Sequence, residues 1–163
     1  MYYCYQDSPA GKLLLAGNRQ GLHLICFPGS RKMPEKKWII QEAWEENTRS
    51  LKEVTKQLNA YFSGKLKKFS LRLCLHVTPF QKKVLTALQQ IPYGETLSYG
   101  ELACKIGKPG AARAVGQANA RNPIPIVIPC HRVIGSSGNL TGFGGGLSLK
   151  QKLLDMEQQN RRG

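Results

Sequence analysis

Short aromatic and apolar runs, broken by turn residues, open this chain. Tyr2-Tyr3-Cys4-Tyr5, Lys12–Ala16 and Leu22–Phe27 read as three strands, separated by Ser8-Pro9-Ala10-Gly11 and by Gly17-Asn18-Arg19-Gln20-Gly21. That spacing predicts a small antiparallel sheet. A polar stretch without a clear period follows. From Thr48 to Phe62 the period lengthens: Leu51, Val54, Leu58 and Tyr61 recur at helical spacing, and Gly64 supplies a stop. Leu71–Val77 reads as one further strand.

At residue 78 the texture changes to capped helices, which places a domain boundary between 1–77 and 78–163. Thr78 with Gln81 forms a capping box and Pro79 takes the first helical position, ahead of an inward stripe of Phe80, Val84, Leu88 and Ile91. Pro92-Tyr93-Gly94 ends that helix. Ser98 with Glu101 is a second box, opening a short helix that stops at Gly107. After Pro109-Gly110 another helix runs from Ala111 to about Ala120, and the pair matches a helix-turn-helix. Asn122–Pro129, with prolines at 123, 125 and 129, reads as extended. A glycine-rich stretch, Gly135–Gly146, precedes a last helix opened by Ser148 and Gln151, with Leu149, Leu153 and Met156 facing inward and Glu157 near its end.

Charge adds a partner class. The net charge is +14 and the pI about 9.8, which points to a polyanion, nucleic acid before an acidic membrane surface. Residues 1–77 hold 13 Lys and Arg against 6 Asp and Glu, and residues 78–163 hold 11 against 4, so each part carries +7 and position adds nothing. The basic runs Arg31–Lys37 and Lys65–Lys68 read as solvated loop surface. Five cysteines at irregular spacing argue against a disulfide framework and for a reducing compartment. The start has neither a basic segment nor a long apolar one, so a cytoplasmic protein without signal peptide or membrane span is expected.

The chemistry concentrates in Ile128-Pro129-Cys130-His131-Arg132-Val133, where a thiol, an imidazole and a guanidinium stand side by side. Cysteine is a nucleophile as thiolate, and a neighbouring base or cation favours that form. Cys4, Cys26, Cys74 and Cys104 lie among apolar residues with no adjacent base and read as small buried hydrophobes. The helix at Ala111-Ala112-Arg113-Ala114-Val115-Gly116-Gln117-Ala118 is small nearly everywhere, with one long cation. Two readings stand: a smooth face for close approach to a minor groove, with Arg113 wedging into the base stack, or an alanine-rich packing helix with Arg113 solvated. In the glycine-rich stretch, bare amides can approach a planar ligand and Phe143 is available for stacking.

Pro129-Cys130-His131-Arg132-Val133, preceded by Asn122-Pro123 and followed by a Gly-Phe-Gly-Gly-Gly-Leu loop, resembles the O6-alkylguanine-DNA alkyltransferases. Ile91-Pro92-Tyr93-Gly94-Glu95-Thr96, Ser98-Tyr99 and Ala111-Ala112-Arg113-Ala114-Val115-Gly116 extend the resemblance over residues 78–163, with a weaker match through Ser8-Pro9-Ala10-Gly11-Lys12 and Gly21-Leu22. The resemblance implies an α+β chain: a small antiparallel sheet with a helix, ribonuclease H-like, then a mainly helical helix-turn-helix DNA-binding domain. It implies Cys130 as alkyl acceptor, His131 as its base through a water, Glu157 as orienter, Asn122 as brace and Tyr99 as proton donor to the departing guanine. Arg113 would fill the space of the extruded base, with Ala112, Ala114 and Gly116 giving the close approach. Carbonyls of Cys130 and Val133 would read the exocyclic amine, amides around Gly144 and Gly145 would read O6, and Phe143 would form the apolar wall.

The implied partner is double-stranded DNA containing O6-alkylguanine, acted on by a monomer with no cofactor. Some relatives hold zinc through N-terminal residues. Here only His23 matches, with Asn18 and Ser70 at other ligand positions, so no metal is expected, even with Cys4 and Cys26 as possible companions of His23. The rivals are a lesion-binding protein that transfers nothing, against which Cys130 stands, and a thiol hydrolase, which draws its histidine from a separate element. A membrane-surface protein would need a basic amphipathic helix, and none is evident.

Overall fold

The computed structural model describes residues 1–161, so positions 162 and 163 of the expected second domain lie outside the described residues. The chain divides into two units, Met1–Leu75 and His76–Gly163. It is an α+β protein with a small N-terminal sheet and a mainly helical second unit.

In the first unit β1 (Tyr2–Ser8), β2 (Gly11–Asn18) and β3 (Gly21–Cys26) form an antiparallel meander. The sheet has the order β3-β2-β1-β4, because β4 (Glu45–Glu46) adds to β1 in parallel. Between β3 and β4 lies the short α1 (Lys36–Gln41), in the stretch where the sequence shows no period. A single 3-10 turn, Arg49–Leu51, leads into α2 (Lys52–Phe62), which buries Val54, Leu58 and Tyr61 as the spacing predicts.

Both faces of the sheet are covered, which is why β2 is a continuous apolar run rather than an alternating one. On one face Gln6 reaches α2, its Nε2 donating to Thr55 O at 3.2 Å and to Asn59 Oδ1 at 2.8 Å. On the other, Leu14 and Cys26 pack with Ile39 of α1 and with Met33 and Trp44. Cys4 pairs across to Leu15 and Cys26 to Leu14, so the two thiols lie on opposite faces and His23 cannot gather both. Among the described residues no group of three candidate metal ligands contains Cys4 or Cys26.

Two expectations need correction. The strand at Leu71–Val77 reduces to one bridge, Leu73 to Leu22, flanked by Leu22 N→Arg72 O (2.9 Å) and Cys74 N→Leu22 O (2.8 Å). Gln57 holds the backbone of Ser70 against α2, accepting from its N–H at 2.9 Å and donating to its carbonyl at 3.3 Å, which keeps the segment out of the sheet. Arg72 still runs so close to Gly21 that a Cβ at Gly21 would stand 2.5 Å from Arg72 O, and only glycine fits. Nor are all the spare cysteines buried: Cys4 and Cys26 are, Cys74 is half-buried and Cys104 is exposed. Cys104 follows buried Leu102 and Ala103 onto the outer side of its helix.

In the second unit α3 (Pro79–Leu88) has both bonds of its capping box, Gln81 N→Thr78 Oγ1 at 3.2 Å and Thr78 N→Gln81 Oε1 at 3.1 Å. The two-residue β5 (Leu97–Ser98) leads into α4 (Tyr99–Lys105), where the box of Ser98 and Glu101 is likewise complete. α5 (Ala112–Ala120) follows a turn at Gly107, and α3, α4 and α5 pack together through Val84, Leu88, Leu102, Ala103, Val115 and Ala118. β6 (Val133–Ile134) pairs in parallel with β5, and α6 (Leu147–Asn160) closes the unit.

Here too the structure departs from expectation. Asn122–Pro129 is a knotted turn rather than an extended run: Ile126 has φ 74°, and Ile128 N donates to Ile124 O at 2.9 Å. A β-branched residue in the left-handed region is costly and marks a backbone held by its surroundings. α6 begins at Leu147 after Gly146, with no side-chain cap, so Ser148 lies inside the helix and its box with Gln151 does not form. The residues α6 buries are Lys150, Leu153 and Glu157, whereas Leu149 and Met156 are half-buried. Two charges therefore occupy the inward face of this helix.

Candidate active site

Cys130 opens a single 3-10 turn, Cys130–Arg132, between the Ile126 turn and β6. The approach is fixed by Asn122, which is buried and spans the turn with both ends of its amide: Nδ2 donates to Ile128 O at 2.8 Å and Oδ1 accepts from Ile124 N at 3.0 Å. Cys130 N donates to Ile128 O at 2.8 Å. The strained backbone at Ile126 is thus closed over by bonds on both sides, which sets where the sulfur stands.

The 3-10 turn aims the next two side chains inward. His131 is fully buried, and its Nε2 lies 2.7 Å from Glu157 Oε1. Arg132 meets the same carboxylate side-on, Nε to Oε2 and Nη2 to Oε1, both at 2.9 Å, while Nη1 donates to Ile91 O at 2.7 Å. Gly94 N adds a longer bond to Oε2 at 3.4 Å. Burial pushes the Glu157 carboxyl up, but the hydrogen bonds and charges of His131 and Arg132 outweigh it and hold the group at about 2. Burial pushes His131 down, against the pull of Glu157, so at neutral pH the imidazole is uncharged. With Nε2–H committed to Glu157, the proton acceptor of the ring is Nδ1.

Lys150 of α6 completes the charged interior. Its ammonium is buried and donates to Val133 O at 2.7 Å and to Thr141 O at 3.0 Å. Burial pushes this amine down and the charge of a Cys130 thiolate pulls it up, so the two groups lie within electrostatic reach. Sequence reasoning passed over Lys150 and also Arg132 as a partner of Glu157. The signal was present as Lys150, Leu153 and Glu157 at helical spacing, where the charged ends rather than Leu149 and Met156 form the inner face.

Tyr99 enters from the start of α4, placed by the pairing of Leu97 with Val133. Its hydroxyl lies 2.5 Å from Thr141 Oγ1. Gly116 of α5 lies against the same ring: an added Cβ would stand 3.6 and 3.7 Å from its carbons, an ordinary contact. Val133 is buried, Phe143 and Gly145 are half-buried and Gly144 is exposed, with the turn closed by Gly146 N→Phe143 O at 2.9 Å. α5 turns Val115, Ala118 and Asn119 inward. Arg113 and Ala114 are exposed, and Ala112 and Gly116 are half-buried. Among the described residues the Arg113 guanidinium has no ion pair or hydrogen bond.

This arrangement offers a thiol beside a neutral base, a carboxylate fixing that base, a buried cation and a tyrosine hydroxyl. It suits attack by sulfur on a carbon whose leaving group needs a proton.

Comparison with known proteins follows the same division. The 6-O-methylguanine DNA methyltransferase ribonuclease-like domain matches residues 1–75, and the DNA binding domain of 6-O-methylguanine DNA methyltransferase matches residues 79–159. A methylated-DNA–protein-cysteine methyltransferase of Methanosarcina barkeri is 53% identical over 162 residues, covering 99% of this chain and 100% of that protein. One of Mycolicibacterium paratuberculosis is 51% identical over 154 residues, 94% of this chain and 90% of its own. The crystal structure of Mycobacterium tuberculosis OGT in complex with DNA superposes with a TM-score of 0.89 at 46% identity, covering 98% of this chain and 94% of that one.

Proposed function

Because this chain belongs to the 6-O-methylguanine DNA methyltransferase family, we propose that it repairs DNA by transferring the alkyl group of O6-alkylguanine to Cys130. The observation that carries this reading is the buried chain from Glu157 through His131 to the residue beside it, Cys130. A protein that only bound lesions would have no use for a nucleophile set beside an oriented base.

The base must first leave the stack, since a sulfur fixed in a protein pocket cannot reach O6 of a stacked guanine in line. A poorly paired, alkylated guanine costs on the order of a few kcal/mol to extrude. Arg113, exposed on α5 without an internal partner, fills the vacated space, and Ala112, Ala114 and Gly116 let the helix lie close to the groove. Phe143 walls the base, amides near Gly144 and Gly145 read O6, and the carbonyls of Cys130 and Val133 accept from the exocyclic amine.

In the transfer, His131 Nδ1 takes the thiol proton through a water while Glu157 holds the ring. The thiolate attacks the alkyl carbon, the S–C bond forms and the C–O6 bond breaks. Tyr99 gives its hydroxyl proton to the leaving guanine and regains one from solvent, so the departing base leaves neutral. Asn122 keeps the sulfur in line. The product is a thioether with no carbonyl for water to attack, so each molecule acts once. No cofactor enters this sequence. The protein works as a monomer on duplex DNA in the reducing cytoplasm, and no described helix is long and apolar enough to cross a membrane.

The test is intact-mass measurement and peptide mapping after incubation with an O6-methylguanine duplex. One added methylene on the Cys130 peptide in stoichiometric yield is expected, and none with Cys130→Ser. Transfer by that variant, or a methyl group on another cysteine, refutes the assignment.

A further inference from the structure

Asn119 is a poor choice for its place by every local criterion. It sits on the inner side of α5, only 4% exposed, in a helix of alanines where asparagine is a weak helix former. Its Nδ2 points at the carbonyl oxygen of Cys130, 3.5 Å away. Its Oδ1 is buried and has no hydrogen-bond partner among the described residues. Turning the amide over would set Oδ1 against the Cys130 carbonyl, two acceptors face to face, so the carbonyl fixes which end is left over. An orphaned buried acceptor is destabilising, a loss that leucine or alanine at this position would avoid. Such groups call for an explanation, and a ligand that brings the missing donor is one.

The nearest candidate donor follows from the reading proposed above, on which this inference rests. There the flipped base presents its exocyclic amine, with two N–H groups, to the carbonyls of Cys130 and Val133. The Val133 carbonyl already accepts from Lys150 at 2.7 Å. The acceptor beside Cys130 O that has nothing else to do is Asn119 Oδ1. We infer that Asn119 is a specificity residue of the base pocket, its Oδ1 accepting a hydrogen bond from the 2-amino group of the extruded purine. It thereby favours O6-alkylguanine over 6-alkoxypurines that lack the amine. A site with a buried acceptor rejects the analogue without the donor because the acceptor then stays unpaired.

The experiment compares single-turnover rates of the full-length protein on duplexes carrying O6-methylguanine or O6-methylhypoxanthine, which differ only by that amine. Wild type should prefer O6-methylguanine, and Asn119→Leu should shrink the preference about tenfold, the worth of one buried hydrogen bond. Its thermal midpoint should not fall, because the change removes an orphaned acceptor. Asn119→Ala serves equally should the leucine not fit. Equal losses on both substrates would make Asn119 a prop for Cys130 and overturn the inference. An unchanged preference would assign Oδ1 to a trapped water and overturn it as well. A wild-type protein that transfers to neither substrate would instead refute the parent reading, so the two failures are distinguishable.

Discussion

The buried ammonium of Lys150 lies 2.7 Å from the carbonyl oxygen of Val133, pinning β6 to α6 directly after the Cys130 turn. The same Nζ holds Thr141 O at 3.0 Å, and the Thr141 hydroxyl in turn meets that of Tyr99. One cation therefore ties together the strand after Cys130, the glycine-rich loop and the tyrosine. Replacing it with methionine keeps the stem and removes the charge.

Lys150→Met should slow transfer from O6-methylguanine about tenfold or more near neutral pH, since a charge that favours the thiolate is lost. The loss should shrink as the pH is raised and the thiolate forms without help. A rate–pH profile on the duplex substrate checks this. A loss that stays constant with pH would reduce Lys150 to a structural strut.

Glu157 has a second dependant besides His131. Arg132 is buried, and its counter-charge is this carboxylate, met through two bonds of 2.9 Å. Glu157→Gln preserves the shape but strands a buried guanidinium, a change of the kind that costs about 3–5 kcal/mol. Urea unfolding should show that loss, and Arg132→Met added to Glu157→Gln should recover part of it. Absence of any coupling between the two changes would contradict the geometry.

Acid should unfold the protein in two stages of one sign. The folded His131 takes its proton below the ordinary 6.5, because burial disfavours the imidazolium. As pH falls below 6.5 the unfolded chain therefore binds a proton the folded chain refuses, and stability drops. Glu157, held at about 2 against an ordinary 4.5, adds a second loss as pH falls from about 4.5 towards 2. Its full contribution, on the order of 3 kcal/mol, is present above about 4.5. Denaturant midpoints measured across this range check the sign: stability should rise with pH through both windows, and a His131→Phe variant should lose the upper window and, without the hydrogen bond that helps hold the carboxyl down, part of the lower one.

Local signals carried much of this architecture. The boxes at Thr78 and Ser98 each depend on residues three apart, and both form as written. On the inner face of α6 Leu153 is buried as its spacing predicts, but Lys150 and Glu157 take the places expected of Leu149 and Met156, although leucine and methionine outrank them on any apolar scale. What buries Lys150 and Glu157 is the partner each finds across the fold, Val133 O for one and Arg132 for the other. The Ser148 cap fails for a similar reason, since Gly146, with φ 89°, starts the helix two residues earlier than the hydroxyl requires. Ile126 shows the limit most clearly. No β-branched residue announces a positive φ, and its turn exists because Asn122 bonds across it. The orphaned Oδ1 of Asn119 is likewise visible only once its surroundings are assembled.

Gly116 separates the two readings of α5. If the helix is small-faced only for internal packing, filling this position should disturb Tyr99. An added Cβ, however, would make only ordinary contacts with the ring, at 3.6 and 3.7 Å, so the interior does not demand glycine. Gly116→Ala should then stabilise the protein by about 0.5–1 kcal/mol, the usual gain for alanine within a helix. On the proposed reading, in which this helix lies close to the groove, it should at the same time weaken duplex binding. Reaction with free O6-benzylguanine, which needs no groove, should change less than twofold. Thermal unfolding, duplex affinity at fixed salt and the two transfer rates together decide the matter. A variant that is more stable and repairs duplex DNA normally would remove Gly116 from the DNA face.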